Sequence, residues 1–128
     1  FRTGFVCAHS AEKFLLNPMN WIFACIRDDR VIGFAYGYEL NRLDSQGNML
    51  YIHEVAVLEE YWHQGIGYRL LCSLKEGCIE KGICRFFLIT SQSNVAANGL
   101  YQKAGGEVSR DSMGKDVCYF FSFKNTQN

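Results

Sequence analysis

Val55-Ala56-Val57-Leu58-Glu59-Glu60-Tyr61-Trp62-His63-Gln64-Gly65-Ile66-Gly67-Tyr68 is the stretch that decides the architecture. It opens as the end of a strand. Met49 to Val57 is nearly all apolar, as a central strand covered on both faces requires. It closes in a helix, because apolar residues recur at Ile66, Leu70, Leu71, Leu74, Cys78 and Ile79 while Arg69, Lys75, Glu76 and Glu80 take the other side. Gly82 is placed to stop that helix. Two glycines, Gly65 and Gly67, stand at its mouth. A helix N-terminus offers unpaired N–H groups and the positive end of its dipole, and glycines clear the side chains that would keep a phosphate from the backbone. The bare chemistry is an anion cradle suited to a pyrophosphate. A tightly packed helix start is the competing reading of the same residues. Leu70 stands where a dinucleotide fingerprint needs its third glycine, and the Lys-Ser/Thr of a nucleoside-triphosphate loop is missing.

Working outward, Ile83 to Thr90 reads as the next strand, so strand, helix and strand form a βαβ unit with parallel strands. Upstream, residues 21–39 read as a hairpin turning at Asp28-Asp29-Arg30, with Gly33 and Gly37 in the returning strand marking a bulge or a close neighbour. A short helix over Ser10 to Leu16 is ended by Pro18. Downstream, Asn94 caps a helix over Val95 to Ala104 that Gly105-Gly106 closes. Glu107 to Arg110 and Val117 to Phe123 read as strands around a Gly114-Lys115 turn. The expected fold is α+β (mixed α/β): a partly antiparallel twisted sheet flanked by helices, built on a central βαβ unit.

The 128 residues suit one domain, 1–128, with a real core. Thirteen Lys+Arg against thirteen Asp+Glu leave no net charge, so nucleic acid is not an expected partner. No apolar run reaches the roughly 18–20 residues of a membrane span, so no membrane role is expected. Cys7, Cys25, Cys72, Cys78, Cys84 and Cys118 show no C-x-x-C spacing, and His9, His53 and His63 show no helical ligand spacing; no metal site is expected. The cysteines read as reduced thiols of a cytoplasmic protein. One feature resists a structural reading: His53-Glu54 puts an ionisable pair inside the central strand, which is costly unless partnered or functional.

Gln64-Gly65-Ile66-Gly67 after a Val-Ala-Val strand resembles the acyl-CoA signature of the GCN5-related N-acetyltransferase (GNAT) superfamily. Asn94-x-x-x-Asn98-Gly99-Leu100-Tyr101-x-Lys103-x-Gly105 resembles its distal asparagine-to-Leu-Tyr-x-Lys-x-Gly helix. Within the superfamily, Tyr51-Ile52-His53-Glu54-Val55-Ala56-Val57 is most similar to the type I aminoglycoside 3-N-acetyltransferases, which carry an acidic residue at the position of Glu54.

The resemblance implies transfer of an acetyl group from acetyl-CoA to a primary amine, with an aminoglycoside as a candidate acceptor. Acetyl-CoA would lie where strands 49–57 and 84–90 splay apart. The Val55-Ala56-Val57 backbone, through Val55 and Val57, would bond the pantetheine arm, and Asn94 is a further candidate there. The N–H groups of His63, Gln64, Gly65, Ile66, Gly67 and Tyr68 would hold the pyrophosphate. An alkyl amine is mostly protonated at neutral pH and needs a base. Glu54 is the candidate, directly or through a water; an ion-pair or cation-anchoring role is its alternative. Tyr101 would donate to the leaving thiolate, and an ordinary core tyrosine is its alternative. The N–H of Val55 or a neighbour would meet the oxyanion.

Trp62 stands where the superfamily usually has Arg or Gln, which removes one expected phosphate contact. The family's first strand and helix, which help form the acceptor pocket, are expected to be absent from 1–128, since about twenty residues precede the hairpin. Glu39, Asp44, Glu54, Glu59 and Glu60 could form an acidic rim for a cationic aminosugar, with an ordinary solvated loop as the alternative for Glu59 and Glu60, and with Tyr36 and Tyr38 lining the acceptor pocket or packing on the sheet. The expected partner is a small-molecule amine; the rival readings are an acetyltransferase for another small amine or a protein amine, and a non-catalytic CoA-binding domain that could form a homodimer through an exposed aromatic last strand.

Overall fold

A computed structural model describes residues 8–43, 47–110, 112 and 114–123. Cys7 and Asp44 lie outside that range. In chain order the elements are α1 (Ala8–Leu16), β1 (Asn20–Arg27), β2 (Arg30–Leu40), β3 (Met49–Val57), a 3-10 turn (Glu59–Tyr61), α2 (Ile66–Lys81), β4 (Arg85–Ser91), α3 (Val95–Lys103), β5 (Glu107–Val108) and β6 (Asp116–Ser122). The strands form one sheet in the order β1-β2-β3-β4-β6-β5. Among the described residues only β3 and β4 pair in parallel; the other pairings are antiparallel. The expected mixed sheet with its central βαβ unit is therefore observed.

Local chemistry explains the elements. Asp28 and Asp29 both adopt positive φ, 51° and 61°, the backbone that a two-residue hairpin turn demands. α2 ends where Gly82 takes φ 74° and its N–H bonds the carbonyls of Cys78 and Ile79. Its buried stripe is Ile66, Leu70, Leu71, Leu74 and Cys78. Ile79, expected in that stripe, is 59% exposed; it sits one position past Cys78 and turns off the sheet. Gly33 and Gly77 let α2 settle close, since a β-carbon at Gly33 would stand 3.1 Å from Ile66 and one at Gly77 2.8 Å from Phe23.

The main core lies between the sheet and α2 with α3, and unites Trp21, Ala35, Leu50, Ile52, Phe86, Leu88, Tyr101, Tyr119 and Phe121 with Leu71, Leu74 and Cys78 of α2, while Ile66 and Leu70 pack with Ile32 in a second cluster. α1 reaches the opposite face, where Phe14 meets Tyr36 and Tyr38 edge-on. The last strand is less exposed than expected: Tyr119 and Phe121 are buried because alternate residues of β6 point into the core, Phe120 is half-buried on the other face, and β5 pairs with β6 at Tyr119 and Phe120. Among the described residues, no helix is long and apolar enough to cross a membrane.

Candidate active site

The sheet opens at one place. β3 pairs with β4 at Met49↔Arg85, Leu50↔Phe86 and Tyr51↔Phe87, and the register stops there. On its other side β3 stays paired with β2 to Val57. The register against β2 jumps from Tyr36↔Glu54 to Gly37↔Ile52, which leaves His53 as the extra residue of a β-bulge. Bulges bend a strand and sharpen its twist, so β3 turns away from β4 immediately beyond Tyr51. Gly37 makes the bulge possible: a β-carbon there would collide with the Tyr51 carbonyl and stand 2.8 Å from the Ile52 Cα.

The bulge also decides where the ionisable pair points. Simple alternation would send His53 and Glu54 to opposite faces. Instead Glu54 is directly opposite Tyr36, and the His53 ring lies 5.4 Å from the Tyr36 ring, so both residues occupy the face away from α2. His53 is exposed and Glu54 half-buried, so neither is sealed in the core.

The backbone of the opening follows from the same register. The N–H of Leu58 donates to the carbonyl of Ile32, so residue 58 faces β2. Val57 and Val55, one and three residues earlier, therefore turn their N–H and C=O groups toward the gap. Ala56, in between, turns its backbone to β2, opposite Phe34. One gap-facing group is already engaged: the indole Nε1–H of Trp62 donates to the Val57 carbonyl at 2.7 Å. Trp62 thus ties the loop before α2 to the end of β3.

At the mouth, Gly65 takes φ 78° and begins α2 with no side-chain cap, and the first turn carries no acidic residue. Arg69 N–H bonds the Gly65 carbonyl, which leaves the preceding amides of the turn to face outward. His63 also holds a positive φ, 62°. Gly67 serves packing instead, since a β-carbon there would stand 3.0 Å from Leu100 of α3. Two cations rim this end. Arg27 bonds the Gln64 side-chain oxygen at 3.3 Å and lies over the Tyr61 ring, and Lys103 lies over the ring of Tyr68. Of the acidic loop, Glu60 pairs with Arg30 at 3.1 Å, both well exposed.

On the far wall, α3 is fixed by a polar chain. Tyr119 Oη donates to Asn98 Oδ1 at 2.7 Å, and Asn98 Nδ2 donates to the carbonyls of Ser91 and Asn94. Asn94 caps α3 as expected, its Oδ1 accepting from the Ala97 N–H at 3.1 Å, so that oxygen is taken. Tyr101 is 8% exposed, its ring 5.5 Å from that of Tyr119. Burial first, and then the neighbouring Tyr119, raise its pKa above the ordinary 10.0. No hydrogen bond joins its hydroxyl to another described residue, and among the described residues no buried side-chain oxygen or nitrogen is left without a partner, so the hydroxyl reaches an accessible point. Tyr101 therefore comes from the α3 side and Glu54 stands on the other face.

Glu39 does not join this group. Its two carboxylate oxygens accept from Trp21 Nε1 at 3.0 Å and Asn48 Nδ2 at 2.8 Å, and it faces Cys78 at the far end of α2. The role expected for it at an acceptor rim is corrected: alternation along β2 puts it on the face opposite to Tyr36 and Tyr38. Sequence alone also underrates Trp62, which it marks only as a missing phosphate contact, and the period-two run Phe34, Tyr36, Tyr38, which signals an aromatic sheet face. Among the described residues no cluster of three His, Cys, Asp or Glu could hold a metal.

Comparison with known proteins agrees with this geometry. A model of the acetyltransferase (GNAT) family matches residues 6–106. The chain belongs to this family of acetyl-CoA-dependent N-acetyltransferases. Many solved structures share its fold, and three illustrate it. A PaiA N-acetyltransferase from Thermoplasma acidophilum in complex with coenzyme A is 22% identical, with a TM-score of 0.71 over 88% of this chain and 66% of that one. An aminoglycoside acetyltransferase from an uncultured soil metagenomic sample, in complex with sisomicin, is 18% identical, with a TM-score of 0.78 over 96% and 77%. A GNAT acetyltransferase from Elizabethkingia anophelis with acetyl-CoA bound is 18% identical, with a TM-score of 0.68 over 91% and 84%.

Proposed function

We propose that the chain, acting as one domain over 1–128, moves an acetyl group from acetyl-CoA to a primary amine of a small cationic molecule, aminoglycosides included, by direct attack. The observation that carries this reading is the break between β3 and β4. Outward-facing strand backbone beyond it, a helix N-terminus without a side-chain cap and the half-buried Glu54 on β3 support the reading.

In this reading the first-turn amides of α2, from His63 to Tyr68, hold the pyrophosphate of coenzyme A, with Arg27 and Lys103 adding positive charge at the rim. The gap-facing carbonyl of Val55 accepts from the pantetheine arm as a neighbouring strand would, which leaves its N–H for the thioester oxygen. Val57 offers its N–H, and its carbonyl once Trp62 lets go. Glu54 takes the proton of the acceptor ammonium, directly or through one water, so that nitrogen attacks the thioester carbon as a neutral amine. The Val55 N–H donates to the oxygen on which charge gathers. As the carbon–sulfur bond breaks, Tyr101 donates its hydroxyl proton toward sulfur, and the surplus proton of the attacking nitrogen leaves to water, from which the phenolate is restored. The raised pKa of Tyr101 keeps its hydroxyl proton in place at neutral pH.

Titration with acetyl-CoA followed by thermal unfolding, then thiol release across aminoglycosides and simple amines, tests the reading. Acetyl-CoA is expected to raise Tm, and at least one amine to release thiol. Glu54→Gln is expected to keep acetyl-CoA binding and lower kcat about a hundredfold. Full turnover in that variant would discard Glu54 as base. Cofactor binding with no acetylation of any amine would discard catalysis.

A further inference from the structure

The face that carries Glu54 is paved with rings. Tyr36 and Tyr38 alternate along β2, and Tyr51 and His53 answer them on β3. The His53 ring centroid lies 5.4 Å from Tyr36, 6.1 Å from Tyr38 and 5.9 Å from Tyr51. Tyr36 and Tyr38 meet each other edge-on at 6.4 Å, and Phe14 of α1 braces both from one side. The three phenols are half-buried and the imidazole is exposed, so this is a walled patch with an open top.

We infer that Tyr36, Tyr38 and Tyr51, grouped around His53, form a subsite for a second ammonium group of the acceptor. The inference rests on the proposed acetyl transfer with Glu54 at the reacting amine, and it names the substrate class: amines that carry two positive charges at a set spacing. Electron-rich rings attract a cation over their faces, more strongly where water is partly excluded. The same pavement already holds a cation at its other end. Tyr51 stacks on Phe87, Phe87 packs on Phe120, and the Arg85 guanidinium lies 5.4 Å from the Phe120 centroid. A carboxylate is not available to do this work from β2, because Glu39 is held on the other face by Trp21 and Asn48.

The spacing follows from the register. Tyr36 stands opposite Glu54, and Tyr38 opposite Tyr51. Two residues of strand separate the reacting position from the Tyr38–Tyr51 pair, about 7 Å. A linear diamine with nitrogens about that far apart fits, and so does a rigid aminosugar with two amines at similar separation.

The test measures acetyl transfer to three acceptors: such a linear diamine, an aminoglycoside, and the monoamine of the same chain length as the diamine. In the wild-type protein the KM of at least one dication is expected to lie about tenfold below that of the monoamine. Tyr38→Leu is expected to bring that ratio toward one, and Tyr38→Phe, which keeps the ring, to preserve it. A low KM for the aminoglycoside alone would assign the subsite to rigid aminosugars. Equal KM values across all three wild-type acceptors would overturn the subsite while leaving acetyl transfer standing, and this comparison requires no variant. No transfer to any amine, with acetyl-CoA still bound, would overturn the functional reading and the subsite with it.

Discussion

The carbonyl oxygen of Tyr51 fills the space that a β-carbon on Gly37 would need. The contact is backbone against backbone, so no side-chain rotation can relieve it. Gly37→Ala is therefore expected to destabilise the fold by at least about 2 kcal/mol, read by chemical denaturation. Because the bulge and the parting of β3 from β4 share this spot, the folded fraction of the variant is also expected to bind acetyl-CoA more weakly, read by calorimetric titration. Unchanged affinity in that fraction would separate the opening from the bulge.

The two glycines at the mouth of α2 should respond differently. Gly65 holds φ 78°, so Gly65→Ala strains the backbone and is expected to lose about 1 kcal/mol of stability and several-fold in acetyl-CoA affinity. Gly67 has an ordinary helical backbone, and an added methyl would meet the end of Leu100, a side chain that can turn aside. Gly67→Ala also gains about 1 kcal/mol of helix propensity, so its stability is expected to match the parent within that margin. Denaturation curves of the two variants, side by side, check this.

Tyr101→Phe removes a hydroxyl that bonds no other described residue. Stability is expected to change by no more than about 0.5 kcal/mol, while kcat falls about a hundredfold if the hydroxyl serves the leaving thiolate. The pH profile carries a second signature. Burial and Tyr119 raise the pKa of Tyr101 above 10.0, so the alkaline loss of activity due to its ionisation is expected above pH 10 and to vanish in the Phe variant. A variant with wild-type kcat would return Tyr101 to the core.

Cys78 gives a stability test independent of catalysis. Burial, then the charges of Glu39 and Cys84, push its pKa from 9.0 up to about 12. The folded state holds this proton more tightly than the unfolded chain does. The resulting stability is fully present below pH 9 and is lost as pH rises through about 12, at no more than about 1.4 kcal/mol per pH unit. Cys78→Ala is expected to start on the order of 1 kcal/mol less stable at neutral pH, from the atoms removed, and to decline less steeply on the alkaline side. Parallel slopes would contradict the assignment.

Much of the fold is legible in the sequence because local chemistry and tertiary packing agree. Gly82 ends α2, Asn94 begins α3, and Asp28-Asp29 turns the first hairpin, each for a reason visible within a few residues. The site is less legible, because it depends on a register slip. His53-Glu54 breaks the apolar run of β3, but only pairing with Tyr36 and Gly37 shows that both side chains share one face. Glu39 misleads for a related reason: its acidity suggests a cationic ligand, whereas its partners, Trp21 and Asn48, lie outside β2, 18 and 9 residues away. The bond from Trp62 to Val57 spans five residues, yet nothing in the residue types requires the indole to fold back on the strand.

Three rungs between β3 and β4 have a mechanical consequence. They divide the sheet into two plates, β1-β2-β3 and β4-β6-β5, with α2 packed across the joint. A guest lodged in the cleft would be gripped by both plates. Its residence would then be governed by how readily they spread about that narrow hinge.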